Sequence, residues 1–167
     1  MKKHLVVLNG PMGVGKTAVG KRLADRLAPA LFLDGDWCWD LHPFTVTADT
    51  KALVLKNIRT FLENGLACPA VETLVFVWVL QEEAAALELL AGLEERAEIL
   101  RVTLGADDAV LAGRVSRDIA AGKRAPGSVE RSLSYQKFYP GQRTLHLDTS
   151  RLTPEEAAAA IAGLLGR

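Results

Sequence analysis

The sequence predicts an α/β layer fold built on a parallel sheet. Short apolar runs alternate along the chain with amphipathic helical stretches, the order produced by strand–helix–strand units with right-handed crossovers. The first apolar run, residues 4–9, is nearly continuous, as in a strand buried on both faces. It runs straight into Gly10-Pro-Met-Gly-Val-Gly-Lys-Thr17, and a helical pattern follows at once. In such folds ligands sit beyond the carboxyl ends of the strands.

The elements follow in order. Residues 16–27 place Val19, Leu23 and Leu27 at helical spacing, with Lys21, Arg22, Asp25 and Arg26 outside, until Pro29 ends the pattern. Residues 31–33 form a short strand that ends in Asp34-Gly-Asp36, and an aromatic segment with Trp37, Trp39, His42 and Phe44 comes next. Residues 49–63 carry Val54, Ile58, Phe61 and Leu62 on one helical face, with Asn64-Gly65 as the expected stop. Residues 74–79 are the strongest β-branched and aromatic run and read as a central strand. Glu82 and Glu83 place acids at the positive end of a helix reaching about residue 93. Residues 99–104 are a fourth strand. Residues 107–121 are a helix with Leu111, Val115 and Ile119 in register, and residues 122–127 form a loop. A helix over 129–138, a last strand over 144–147 and a C-terminal helix complete the chain. Thr153-Pro-Glu-Glu156 opens that last helix as a capping box with proline in its first turn.

With 167 residues the chain reads as one domain, 1–167. Lysine plus arginine equals aspartate plus glutamate, 20 each, which argues against a general nucleic-acid or membrane-surface binder. Cys38 and Cys68 lack metal-type spacing and read as reduced thiols of a cytoplasmic protein. The apolar run after Met1-Lys-Lys-His stops at Asn9-Gly10, too early for a signal peptide, and no stretch is long enough to span a bilayer.

The 10–17 segment matches G-x-x-x-x-G-K-[ST], a loop that cradles polyphosphates. Its glycines let successive N–H groups converge on the anion, and the next helix turns its positive end to the same place. Nucleotide contacts are expected from Gly10, Met12, Gly13, Val14, Gly15, Lys16, Thr17 and Ala18. Lys16 would reach the β- and γ-phosphates, and the Thr17 hydroxyl would ligate Mg²⁺.

Three further groups are candidates. Asp34 and Asp36 follow the second strand; one carboxylate could accept a proton from an attacking hydroxyl and the other could hold Mg²⁺. Alternatively they brace a turn. Arg114, Arg117, Lys123, Arg124 and Arg131 form a basic set. On a continuous helix Arg114, Arg117 and Arg124 share one face. That face is either solvated or laid over a transferring phosphoryl group, and residues 122–127 would let it move as a lid. Trp37, Trp39, Phe44 and Trp78 lie near strand ends and either line a pocket for a flat or apolar acceptor or pack the loop on the sheet.

Together, residues 10–17, Asp34-Gly-Asp36, the basic helix–loop and Leu147-Asp-Thr-Ser150 resemble the small P-loop kinases, such as shikimate, gluconate and adenylate kinases and chloramphenicol phosphotransferase. Residues 33–40 with Pro43-Phe44 look most like bacterial nucleotide-kinase-like ATPases close to tunicamycin-resistance ATP-binding proteins. The resemblance implies a P-loop NTPase fold, three-layer α/β/α, with a five-stranded parallel sheet of order 2-3-1-4-5 and a short helical lid at about 114–131. It implies ATP and Mg²⁺ as cofactors and a small-molecule acceptor, with nucleosides, nucleotides and antibiotics as the candidates. Arg117, Lys123 and Arg124 fall on the lid, and Arg131 reaches back to phosphate. Arg114 resembles the arginine that packs on adenine, and Ser150 and Leu152 resemble the loop that edges the base. Asp36 resembles the carboxylate that binds or deprotonates the acceptor, and Asp34 the one near the metal. Catalytic roles thus fall on Lys16, Asp36, Arg117 and Arg124. Trp78 stands where many relatives carry a glycine-rich or acidic motif, which detaches this chain from shikimate- or gluconate-type acceptors. The absence of an Asn-Lys-x-Asp segment argues against a GTPase switch. The sequence leaves two other readings beside a phosphotransferase: a binding protein that sequesters its ligand unmodified, and an ATPase acting on a protein partner.

Overall fold

Each apolar run becomes a strand of one sheet. The computed structural model describes residues 2–166. Strands β1 (Lys3–Asn9), β2 (Ala30–Asp34), β3 (Thr73–Val77), β4 (Ala97–Gly105) and β5 (Leu145–Asp148) pair in the order β2-β3-β1-β4-β5. All pairs are parallel. Helices α1 (Lys16–Arg26), α2 (Ala48–Ala67), α3 (Glu83–Leu90), α4 (Asp108–Ala120) and α5 (Ser128–Tyr135) lie in the crossovers, and α6 (Pro154–Leu164) follows β5. The fold is a three-layer α/β/α P-loop NTPase domain.

Alternation along β1 divides the core. Val6 and Leu8 face Val19, Leu23, Val115 and Ile161, while Leu5 and Val7 face Val54, Ile58, Leu62 and Leu90. The helices therefore cover both faces of the sheet, and the central strands read as unbroken apolar runs. Leu5, Leu8 and Phe76 are fully buried, and each contributes about 1.5–3 kcal/mol through burial. A buried polar link ties the sheet together. Thr103 Oγ1 donates to Asn9 Oδ1 at 2.6 Å, and Asn9 Nδ2 donates to Gln142 Oε1 at 2.7 Å. Gln142 Nε2 then holds the carbonyls of Leu80 and Gln81 at 3.0 and 2.9 Å, fixing the turn after β3.

Several boundaries differ from the sequence reading. The second helix does not stop at Asn64-Gly65 but runs to Ala67. Gly65 is a close-packing position there: a Cβ would come within 2.8 Å of both Leu31 and Leu74. β3 ends at Val77, so Trp78 is the first residue past the strand, its N–H donating to Leu8 O at 3.0 Å. α3 stops at Leu90, because Gly92 turns the chain at φ 79° into a 3₁₀ turn, Leu93–Glu95. α5 is likewise shorter, passing into the 3₁₀ turn Gln136–Phe138. α6 opens on the expected capping box: Thr153 Oγ1 accepts the Glu156 N–H, and Glu156 accepts the Thr153 N–H.

Candidate active site

The 10–17 loop leaves the end of β1 at the centre of the sheet, so everything at neighbouring strand ends converges on it. Gly13 has φ 81°, and a Cβ there would lie 2.4 Å from Val115 Cγ2. Only glycine combines that turn with that approach to α4. Lys16 Nζ donates to the carbonyls of Gly10 and Pro11 at 2.9 and 2.8 Å. The residue is half-buried, but its amine is enclosed by the loop. Desolvation lowers its pKa to about 8, against the pull of Asp36 and Asp34, with Arg124 adding to the fall.

The two carboxylates separate in environment. Asp34, at the last position of β2, is buried at 7% exposure; it accepts the Thr17 hydroxyl on Oδ2 at 2.6 Å and the Asp36 N–H on Oδ1 at 3.0 Å. A 3₁₀ turn, Gly35–Trp39, then carries Asp36 out to the surface. There it accepts the Trp78 indole N–H at 3.1 Å. Gly35 makes this possible, since a Cβ would meet the Trp78 ring at 2.4 Å. From Trp78 an aromatic row extends outward, to Trp39 at 6.5 Å and on to Phe44 at 6.2 Å between ring centroids. Phe44 is 70% exposed. Trp37 departs from the expected set: it packs edge-on against Phe32 at 5.5 Å, outside the row.

On the other side of the loop a cavity of about 330 Å³ lies between the starts of α1 and α6 and the flank of α4, a volume typical of small-molecule sites. Val14, Gly15, Arg114, Arg117, Thr149 and Leu152 are among its walls. Arg114 braces it, donating to Val14 O at 3.0 Å, to Thr149 Oγ1 at 2.9 Å and to Thr149 O at 2.6 Å. Burial and the neighbouring Arg117 push the Arg114 pKa below its usual value. Ser150 turns away from this cavity; its hydroxyl bonds Asp148 and accepts the Asp107 N–H.

The basic set divides too. α4 ends at Ala120, so Arg124 does not share its face as a continuous helix would require; it lies in the following loop and pairs with Asp118 at 2.9 Å. Its charge nevertheless acts on Lys16. Arg117, Lys123 and Arg131 are exposed. Met12 and Ala18 lie in and just after the loop, half-buried and exposed respectively. The Met12 carbonyl accepts the hydroxyl of buried Ser132 on α5. Ser132 positions the loop from outside any motif, whereas Thr149 falls in the Leu147-Asp-Thr-Ser150 segment, and sequence reasoning misses it as the acceptor of Arg114.

Thr17 and Asp34 offer one hydroxyl and one carboxylate side by side, a hard donor pair that suits Mg²⁺ shared with phosphate oxygens. Among the described residues no cluster of three or more His, Cys, Asp or Glu could hold a metal by itself. No described helix is long and apolar enough to cross a membrane.

This loop, sheet order and flanking helices define a P-loop nucleotide-binding domain. Residues 6–132 match the AAA domain family profile, and the chain belongs to that family. No curated protein is significantly similar to it in sequence. Similar solved structures include the tunicamycin resistance protein of Deinococcus radiodurans, with a TM-score of 0.70 and 23% identity over 99% of this chain and 96% of that one. A gluconokinase from Sinorhizobium meliloti aligns at 0.67 and 21% over 96% and 93%. The APS kinase of Mycobacterium tuberculosis, solved with AMPPNP and APS, aligns at 0.66 and 16% over 99% of both chains. The fold is thus that of the small P-loop kinases.

Proposed function

We propose that the protein is an ATP-dependent phosphotransferase acting on a hydroxyl of a small molecule. The observation that carries this reading is the division of labour between Asp34 and Asp36. Asp34 is buried against Thr17, on the metal side. Asp36, two residues on, faces the Trp78–Trp39–Phe44 row.

In this reading ATP lies with its phosphates on the 10–17 loop and its base in the cavity braced by Arg114. Thr17 and Asp34 would hold Mg²⁺, which supplies charge neutralisation between the phosphates. The acceptor oxygen attacks the γ-phosphorus, the bond from that phosphorus to the β-bridging oxygen breaks, and ADP leaves. The hydroxyl proton passes to Asp36. Lys16, with Arg117 and Arg124 on the lid, stabilises the equatorial charge of the transferring group, and Lys123 and Arg131 add to the positive field. Catalysis is mainly positioning and electrostatics.

A specific observation keeps sequestration as the second reading: the exposed rings beside the site, together with the fold likeness to a tunicamycin resistance protein. Mass spectrometry of candidate acceptors incubated with Mg·ATP and the protein separates the two. A product heavier by one phosphoryl group, formed together with ADP, supports transfer; ligand bound tightly but recovered unmodified supports sequestration.

A further inference from the structure

Charge is distributed unevenly around the loop. Residues 27–50 and 60–95 contain no lysine or arginine. These two stretches supply β2, the Gly35–Trp39 turn, the aromatic row, β3 and Trp78. They also carry Asp36, Asp40, Asp49 and Glu82. His42, the one histidine there, pairs with Asp40 at 3.0 Å. By contrast, Arg114, Arg117, Lys123, Arg124 and Arg131 all stand on the far side, on α4, α5 and the loop between them. The cations in α2 are Lys51 and Lys56, both exposed, and Arg59, which is spent on Glu63 and on the carbonyls of Leu89 and Ala91.

The segments that form the acceptor surface therefore offer three rings in a row and one outward carboxylate at the inner end, beside Lys16 of the phosphate loop, and they carry no guanidinium or ammonium of their own. An anionic group lying outward along the rings, away from Lys16, would lose water without gaining a partner from these segments, which opposes binding. A flat apolar body would bury its faces on Trp39 and Phe44 while its hydroxyl reached Asp36. We infer that the acceptor is an alcohol with a ring or otherwise flat apolar body and no carboxylate, phosphate or sulfate. This rests on the phosphotransferase reading and narrows its substrate class. It distinguishes this site from one built for a sugar acid or a nucleotide.

All three tryptophans of the chain lie at this end, so their emission reports binding separately from turnover. The test titrates the full chain, saturated with Mg·AMPPNP, against matched pairs: uridine with uridine monophosphate, and phenylethanol with phenylacetate. The neutral member should shift tryptophan emission with a Kd at least tenfold below that of its anionic counterpart. Equal or tighter binding of the anions overturns the inference, as does silence of the emission toward both members at millimolar concentration. Phe44→Lys, a change at an exposed position, should raise affinity for phenylacetate severalfold; an unchanged ratio overturns the aromatic row as the acceptor surface. Lys51→Ala should leave every ratio as it was, and loss of anion binding in that variant would contradict the charge argument. ADP formation with the same compounds and ATP is followed in parallel. Discrimination without transfer would refute the kinase reading while upholding the ligand class; transfer to anionic members alone would do the reverse.

Discussion

The two halves of the site are built differently. On the donor side nearly every polar atom is held: Lys16 by two carbonyls, Thr17 by Asp34, Arg114 by three acceptors, Met12 by Ser132. On the acceptor side Phe44 is 70% exposed, and the side-chain hydrogen bond there joins the Trp78 indole N–H to Asp36. In the proposed reading the first half is preorganised for an anion and the second is shaped by rings, so that phosphate binding would be set by backbone and charge, and specificity by packing.

The largest expected break in this contrast is Lys16→Met. Phosphoryl transfer should fall by roughly 10²–10³-fold or more, since an aimed cation in the transition state is lost. The same change should stabilise the nucleotide-free protein by roughly 1–3 kcal/mol at pH 7, because a buried ammonium with a lowered pKa opposes folding while it stays charged. The sign follows from the proton count. Between pH 8 and the ordinary lysine value of 10.5 the unfolded chain holds more protons on this lysine, so wild-type stability rises with pH across that window. Below it the penalty is complete. Urea unfolding at pH 7 and near pH 10 measures both, and the variant should lack the rise.

Asp36→Asn comes next, with an expected loss of about 10²-fold in kcat, the lower end for a lost general base, and little change in nucleotide affinity. Asp34→Asn, acting through Thr17, should instead weaken the dependence on Mg²⁺. Equal effects of the two substitutions on nucleotide binding, measured by calorimetry, would erase the proposed separation of roles.

The sequence made the donor half legible because its residues are contiguous. The phosphate loop, the strand before it and the helix after it are one segment, and the alternation of elements pointed to the parallel sheet. Sheet order came from resemblance rather than from pattern. What remained hidden depended on contacts across the fold. Nothing local says that Gly65 packs on Leu31 and Leu74 instead of ending a helix, or that Ser132 reaches the Met12 carbonyl, 120 positions apart. The aromatic segment announced itself by composition, but composition could not separate Trp37, which packs on Phe32, from the row that faces Asp36.

Gly13→Ala tests the fit of the loop to α4. It should cost about 1–3 kcal/mol of stability, combining a left-handed backbone with a clash on Val115. Adding Val115→Ala should recover the steric part and leave the backbone part. Arg114→Lys should be the mildest change, weakening nucleotide binding about tenfold, since an ammonium cannot replace three guanidinium contacts. Acceptor affinity should be unaffected by it, and a loss on that side would show that the halves are coupled.

The central claim is that the two halves meet across a transferred phosphoryl group. The most direct measurement is mass spectrometry of neutral ring-bearing alcohols incubated with Mg·ATP and either the wild-type protein or Asp36→Asn. The account predicts a phosphorylated product and equimolar ADP with the wild type, and neither with the variant at equal nucleotide occupancy. Transfer that persists undiminished in Asp36→Asn, or a bound alcohol released unmodified by the wild type, would contradict it.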